Sequence, residues 1–199
     1  MTAIASTAGR GVRRFVAAVA IATAAFASAL PAVAADPAVE FMNRFARETL
    51  AAARTQSPSA MQAVVARYAD TTNIGLFALG DYRPRLDAQD KTPYITGMTR
   101  FIGRYAANEA PKYPVADVKF APEARKARYG ITVDSTITLK NGTSYQVAWL
   151  LSKFGTSYRV RDAQVVGLWV SPFLKKLFED YVAQNNGSVK ALVAVLQRH

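Results

Sequence analysis

Cysteine is absent from the 199 residues, and histidine occurs once, as His199. Each absence removes a class of chemistry. Without a thiol there is no disulfide framework, no iron–sulfur ligation, no cysteine nucleophile and no zinc–thiolate site. A single histidine at a chain end, where backbones fray, leaves Ser-His-Asp catalysis, imidazole proton shuttling and multi-histidine metal sites without their central residue. Phosphate-cradling glycine motifs are missing as well: neither Gly-x-Gly-x-x-Gly nor a Walker loop occurs. Acid is scarce, with 14 Asp and Glu against 25 Lys and Arg and a formal net charge of +11. Apolar residues are plentiful. A content of 51% hydrophobic and 20% charged side chains suits one globular domain and not a disordered tail.

No acidic residue precedes Asp36, whereas Arg10, Arg13 and Arg14 form a positive leader. Phe15 to Leu30 follows as 16 uncharged, Ala-rich residues, Pro31 ends the run, and Ala32-Val33-Ala34 offers a small-x-small cleavage site. This layout predicts a secretory signal peptide over 1–34, cut after Ala34 or Ala35. A retained anchor would need about 20 apolar residues. A lipoprotein would need a cysteine, and the twin-arginine pattern is not met around Arg13-Arg14, so the general secretory route is expected. Three arginines and no acid leave with the leader, which takes the charge from +11 to +8. Export places the remaining chain away from DNA and RNA, so nucleic acid is not the expected partner of that charge. Anionic membrane surfaces or acidic proteins suit it better.

Asp36-Pro37 and Ser57-Pro58 both read as an N-cap followed by the first helical residue. Apolar stripes follow each of them, through Val39, Met42, Phe45 and Leu50, and through Met61, Val64, Val65 and Tyr68. A short helix is expected within Asn73–Tyr82, ended by Gly80. A longer one is expected from about Gln89 to Ala107, carrying Gly97 and Gly103 inside it. After Pro111 and Pro114 the hydrophobic period changes from 3.6 to 2. Val115–Ala121, Ala127–Lys140, Thr143–Lys153 and Tyr158–Val170 read as strands, with Asn141-Gly142 as a hairpin signal. Ser171-Pro172 and Ser188 then open two closing helices. The expected fold is α+β: helices packed on a curved, mainly antiparallel four-stranded sheet, in a single domain over 35–199.

Catalytic candidates are few. Asp134 lies in a solvent-type row with Thr132 and Thr136, and Asp162 follows Arg161 in the final strand, where an ion pair or turn contact is the plain account. Asp81, Asp87 and Asp90 alternate with Arg83, Arg85 and Lys91 as a solvated segment does. Nothing in the sequence calls for a metal or cofactor. The 10 Phe, 9 Tyr and 2 Trp either fill a core or line a cavity, and periodicity does not separate the two.

The C-terminal third carries a more specific pattern: Tyr158-Arg159-Val160-Arg161-Asp162, then Val165-Val166-Gly167, Phe178, Gly187 and Leu192–Leu196. Upstream stand Phe77-Ala78-Leu79-Gly80-Asp81-Tyr82 and the aromatic helix around Tyr94–Tyr105. In this order, over roughly 36–197, the chain resembles the MlaC or toluene-tolerance family of exported periplasmic phospholipid carriers. It departs at Gly167-Leu168-Trp169, where many members have Gly-Val-Ser; a hopanoid-associated branch is similar at this segment. The resemblance implies a periplasmic, monomeric, non-enzymatic carrier of phospholipid or a hopanoid-like lipid, touching membranes peripherally. The implied partners are an inner-membrane ABC transporter with its substrate-binding subunit and an outer-membrane lipoprotein complex.

The resemblance also implies an apolar cleft. Burying one CH₂ is worth about 0.8 kcal/mol, so a 16-carbon chain represents on the order of 12 kcal/mol that such a cleft must largely offset. Candidate lining residues are Ile131, Val133, Val147, Trp149, Val165 and Leu168 from the sheet, with Phe101, Ile102 and Tyr105 from the long helix. Trp169 either closes the cleft or packs behind it, and plain core is the competing account for all of them. Arg83, Arg85 and Arg100 are the candidate head-group residues. Two other classes compete: a small exported enzyme on a nuclear-transport-factor-like scaffold using Asp134 or Asp162, and a non-transporting interaction module with a fully packed interior.

Overall fold

The computed structural model describes residues 35–198; the expected signal peptide and His199 lie outside them. Helix starts follow the capping residues. Asp36 Oδ1 accepts from the Ala38 and Val39 N–H groups at 2.8 and 3.4 Å and opens α1 (Pro37–Thr55). Ser57 Oγ accepts from Ala60 N at 3.3 Å and opens α2 (Pro58–Tyr68). Asp70 does the same for Asn73 N in α3 (Thr71–Ala78). Gly80, at φ 51°, turns the chain out of α3 into two 3-10 segments, Gly80–Arg85 and Ala88–Asp90, that lead into α4 (Lys91–Glu109).

The strands follow: β1 (Val115–Phe120), β2 (Arg125–Ala127), β3 (Gly130–Leu139), β4 (Ser144–Phe154), β5 (Ser157–Val165) and β6 (Leu168–Trp169). They form one antiparallel sheet in the order β1-β3-β4-β5-β6, with β2 also paired to β3. The fold class is α+β, and the four expected strands are present as β1, β3, β4 and β5. Their alternation is the expected one: Ile131 pairs with Leu151, Val133 with Trp149, Ser135 with Val147 and Ile137 with Tyr145.

The end of the sheet differs from the expected continuous strand to Val170. Val166 and Gly167 both take positive φ, 50° and 81°, and fold Leu168 back onto Val165 as a two-residue hairpin. The chain then enters α5 (Val170–Gln184), one residue before the expected Ser171, and closes with α6 (Val189–Arg198), capped by Ser188 Oγ on Ala191 N at 3.2 Å.

Two apolar clusters hold these layers. One joins α1 and α2 to the sheet through Phe41, Met42, Met61, Tyr68, Val133 and Leu151. The other joins α3, α4, α5 and α6 through Leu79, Tyr94, Met98, Phe178, Val182 and Leu192. In the second, the buried Tyr94 hydroxyl donates to the Gly75 carbonyl at 2.7 Å, and burial pushes its phenol pKa well up. The junction of α2 and α3 is stitched to β5. Asp70 N donates to Val160 O at 2.8 Å, and Arg159 Nη1 donates to the Ala66 and Ala69 carbonyls at 2.8 and 3.2 Å.

Candidate functional site

Between the two clusters lies a cavity of about 230 Å³ with an almost wholly apolar wall. Helix α1 contributes Phe45 and Thr49, α2 contributes Met61, Val64 and Val65, α3 contributes Ile74, and α4 contributes Ile102 and Ala106. The sheet contributes Trp149 from β4 and Val160 to Ala163 from β5, while Val170, Ser171 and Leu174 of α5 close the remaining side. Trp149 is held in place from both ends. Its Nε1–H donates to Ser135 Oγ at 2.9 Å, Ser135 in turn donates to Val147 O at 3.3 Å, and Phe45 meets the indole edge-on at 5.5 Å. The buried polar Ser135 is thereby satisfied, as a core hydroxyl must be. Thr49 Oγ1, on the same wall, is buried without a hydrogen-bond partner.

A more polar vestibule of about 270 Å³ adjoins the cavity, and Ile74, Arg161, Asp162 and Ser171 line both. Asn73, Phe77, Tyr129 and Leu150 complete the vestibule; Phe77 and Tyr129 are exposed, so it opens at the surface. A bulge places Arg161 there. Leu150 pairs with Asp162 and the next residue, Leu151, with Val160, so Arg161 is the extra residue of β5. Bulges of this kind re-aim a side chain. Arg161 forms no ion pair among the described residues.

Asp162 serves the fold. Its Oδ1 accepts from its neighbour Ala163 N at 2.8 Å and from Ser171 N at 3.0 Å, capping α5 from β5. Asp134 forms a two-pronged ion pair with Arg125, at 2.8 Å for each bond, on the outer face of the sheet. Neither carboxylate has the placement of a free acid–base group inside the cavity.

Of the expected lining residues, Ile102 and Trp149 reach the cavity. Val133 and Val147 are sealed in the core, and Ile131 packs against it. Phe101 packs edge-on against Phe178 at 5.6 Å within the helical cluster, and Tyr105 stacks on Phe101 while facing solvent. Val165 and Leu168 are exposed on the hairpin, and Trp169 is half-buried at the start of α5. The candidate head-group arginines lie elsewhere. Arg83 is exposed, Arg85 covers the Tyr82 ring and donates to Gly187 O at 3.4 Å, and Arg100 donates to Gln197 Oε1 at 3.0 Å. The cavity residues that sequence reasoning did not name are those of α1, α2 and α5, whose apolar stripes read as ordinary core, with Ile74, Ala106, Val160 and Ala163, and Arg161, whose bulge leaves no mark in the alternation.

The site of this α+β protein is thus an apolar cavity beside a polar vestibule that carries one arginine and one aspartate. Residues 39–198 match the model of the MlaC protein family, and the chain belongs to that family. The fold is also that of the phospholipid-binding protein from Ralstonia solanacearum, whose structure was solved in complex with a phospholipid. The two chains are 21% identical and superpose with a TM-score of 0.62, over 82% of this chain and 96% of the other. No curated protein matches the sequence significantly. Among the described residues, no helix is long and apolar enough to cross a membrane.

Proposed function

We propose that this protein is an exported, periplasmic carrier of phospholipid, with an acyl chain in the apolar cavity and the phosphoryl head group in the vestibule at Arg161. The observation that carries this reading is the shared wall of the two spaces, formed by Ile74, Arg161, Asp162 and Ser171. An apolar wall leading to one unpaired guanidinium matches the two ends of a phospholipid. Family membership supports transport, and in this reading the carrier moves lipid between an inner-membrane ABC transporter and an outer-membrane lipoprotein complex. Binding and release need no nucleophile, in keeping with the structural roles of Asp134 and Asp162.

Size decides how the site must work. At about 230 Å³ the cavity is smaller than the roughly 300–1,000 Å³ of ordinary ligand sites. A full acyl chain is admitted when α5, which supplies Val170 and Leu174 to the wall, moves outward from β5. Mass spectrometry of lipid extracted from the exported protein, with uptake of labelled phospholipid from vesicles, tests the reading. Co-purifying phospholipid is expected. A lipid-free protein that also takes up no label overturns it, and a hopanoid in the extract would move the ligand to the branch that Gly167-Leu168-Trp169 resembles.

A further inference from the structure

We propose that the β5–β6 hairpin and the outer stripe of α5 form an apolar wedge that docks this protein on an anionic lipid bilayer. Val166, Leu168 and Phe173 are 69%, 62% and 62% exposed, and Val165, Val170 and Leu177 are exposed beside them in the chain. Their placement is local: Leu168 pairs with Val165, α5 begins at Val170, and Phe173 and Leu177 lie one turn apart on it. The opposite stripe of α5, Phe178 and Val182, is buried in the helical cluster. An apolar surface of this extent marks a contact with another phase or partner.

The hairpin tip is strained in a way that favours this reading. A two-residue turn with both φ angles positive prefers Asn-Gly, and a β-branched residue there is an outlier. Val166 nevertheless holds φ 50°, in water. The tip is braced, with Gln164 Nε2 donating to Gly167 O at 3.0 Å and Val166 N donating to Gln146 O at 3.4 Å. Strain kept at an exposed apolar tip is explained by what the tip touches.

The occupant is lipid rather than protein because the tip projects. A protein partner would need a preformed groove for Val166 and Leu168, whereas fluid hydrocarbon closes around any protrusion. Trp169 follows directly, half-buried, in the position of an interfacial aromatic. Charge supplies the attraction: residues 35–199 carry a net +8. Val170 and Ser171 also line the cavity, so docking on the wedge brings the site to the lipid surface.

The test is flotation with vesicles of phosphatidylcholine alone or mixed with phosphatidylglycerol, using exported protein purified from cells that express the full chain. The wild type is expected to float with the anionic vesicles, less so as salt rises. A Val166→Asn, Leu168→Gln, Phe173→Gln variant is expected to bind at least about tenfold more weakly, with unchanged circular dichroism melting and lipid content. In a Trp149→Phe background, brominated lipid is expected to quench Trp169. If the triple variant fails to fold, Val166→Asn alone, which relieves the turn, and the Trp169 quenching carry the test. A wild type that does not float, a folded variant that floats equally well, or a wild-type dimer that the variant converts to monomer overturns the proposal. Loss of extractable lipid with docking intact would strike the carrier reading and leave the wedge standing.

Discussion

Asp162 accepts a hydrogen bond from the backbone N–H of Ser171 at 3.0 Å, so a carboxylate in β5 caps a helix that begins on the far side of the hairpin. The bond ties two walls of the cavity together, since α5 supplies Val170, Ser171 and Leu174 and β5 supplies Val160 to Ala163. Asp162→Ala removes the acceptor and is expected to destabilise the fold by about 1 kcal/mol, the usual cost of a lost cap. It should also speed lipid loss, because the first turn of α5 is freed. Asp162→Asn keeps an acceptor oxygen and should recover most of both. Urea unfolding and the rate of transfer of labelled lipid to acceptor vesicles read the two effects.

Arg161 is expected to behave differently, since it has no ion pair to lose. A charge-assisted bond to a phosphoryl oxygen is worth about 1.5–3 kcal/mol. Arg161→Ala should therefore weaken retention of phospholipid by roughly ten- to a hundredfold while leaving the melting temperature within error. Arg161→Lys should restore part of the loss, because a point charge replaces a planar fork. Unchanged retention in Arg161→Ala would remove the vestibule from the head-group site.

A pair of substitutions separates cavity from core. Ala106→Phe projects a ring into the cavity from α4 and is expected to abolish lipid uptake at unchanged or slightly raised stability, up to about 1 kcal/mol, as cavity filling does. Val133→Glu places a charge at a position that is 0% exposed and packed between α1 and the sheet. It is expected to unfold the protein, because an unpaired buried charge costs several kcal/mol. Circular dichroism beside lipid loading distinguishes the outcomes.

These contrasts show which parts of the site could be read from sequence. Asp36-Pro37, Ser57-Pro58 and Ser188 start helices because capping is local chemistry, and β3 and β4 pair as their alternation demands because a period of two fixes a face. Trp149 and Ile102 border the cavity from expected apolar faces, the first set by the strand's period of two and the second by the helix's 3.6. Val133 and Trp149 are cross-strand partners on one face, yet one is sealed and the other reaches the cavity. That difference depends on what the helices cover, which no strand pattern records. The bulge at Arg161 and the hairpin at Val166 were hidden for an opposite reason: each sets local geometry against local propensity. Gly167 was the available signal for the turn, masked by a β-branched neighbour.

Acid sensitivity follows from Asp36. Its carboxyl is held below the ordinary value of 3.8, first by the hydrogen bond from Ala124 N–H at 2.8 Å and then by those from Ala38 and Val39, against an opposing push from burial. The folded pKa is the lower one, so the unfolded chain binds the proton more readily. The contribution of Asp36 is therefore full above its unfolded pKa and is lost as pH falls through the folded pKa. Asp36→Asn should flatten the acid limb of stability below about pH 4 and lower neutral-pH stability correspondingly, since its single acceptor oxygen serves either the helix start or Ala124 N–H but not both. Urea midpoints across that range measure it. An acid limb identical to wild type would assign the loss to other carboxylates.

Gly103 provides the sharpest test of how α4 is held against the cavity's other helical wall. On helix propensity alone, Gly103→Ala should stabilise by about 1 kcal/mol. The structure reverses the sign. A Cβ at this position would lie 2.7 Å from Gln62 Cα and 2.8 Å from Gln62 N, and a backbone cannot swing aside as a side-chain tip does. Accommodating the methyl means separating α2 from α4, which carry Met61, Val64 and Val65 on one side of the cavity and Ile102 and Ala106 on another. Overpacking of this kind costs about 1–3 kcal/mol. Gly103→Ala is thus expected to lower the urea midpoint at an unchanged m-value, and to accelerate lipid release as the wall parts. Gly142→Ala, at a turn with open space around it, is the control: it should cost stability through its φ of 87° and leave lipid release alone. A stabilised Gly103→Ala would mean that α2 and α4 yield freely, and that the cavity is wider in solution than its walls at rest.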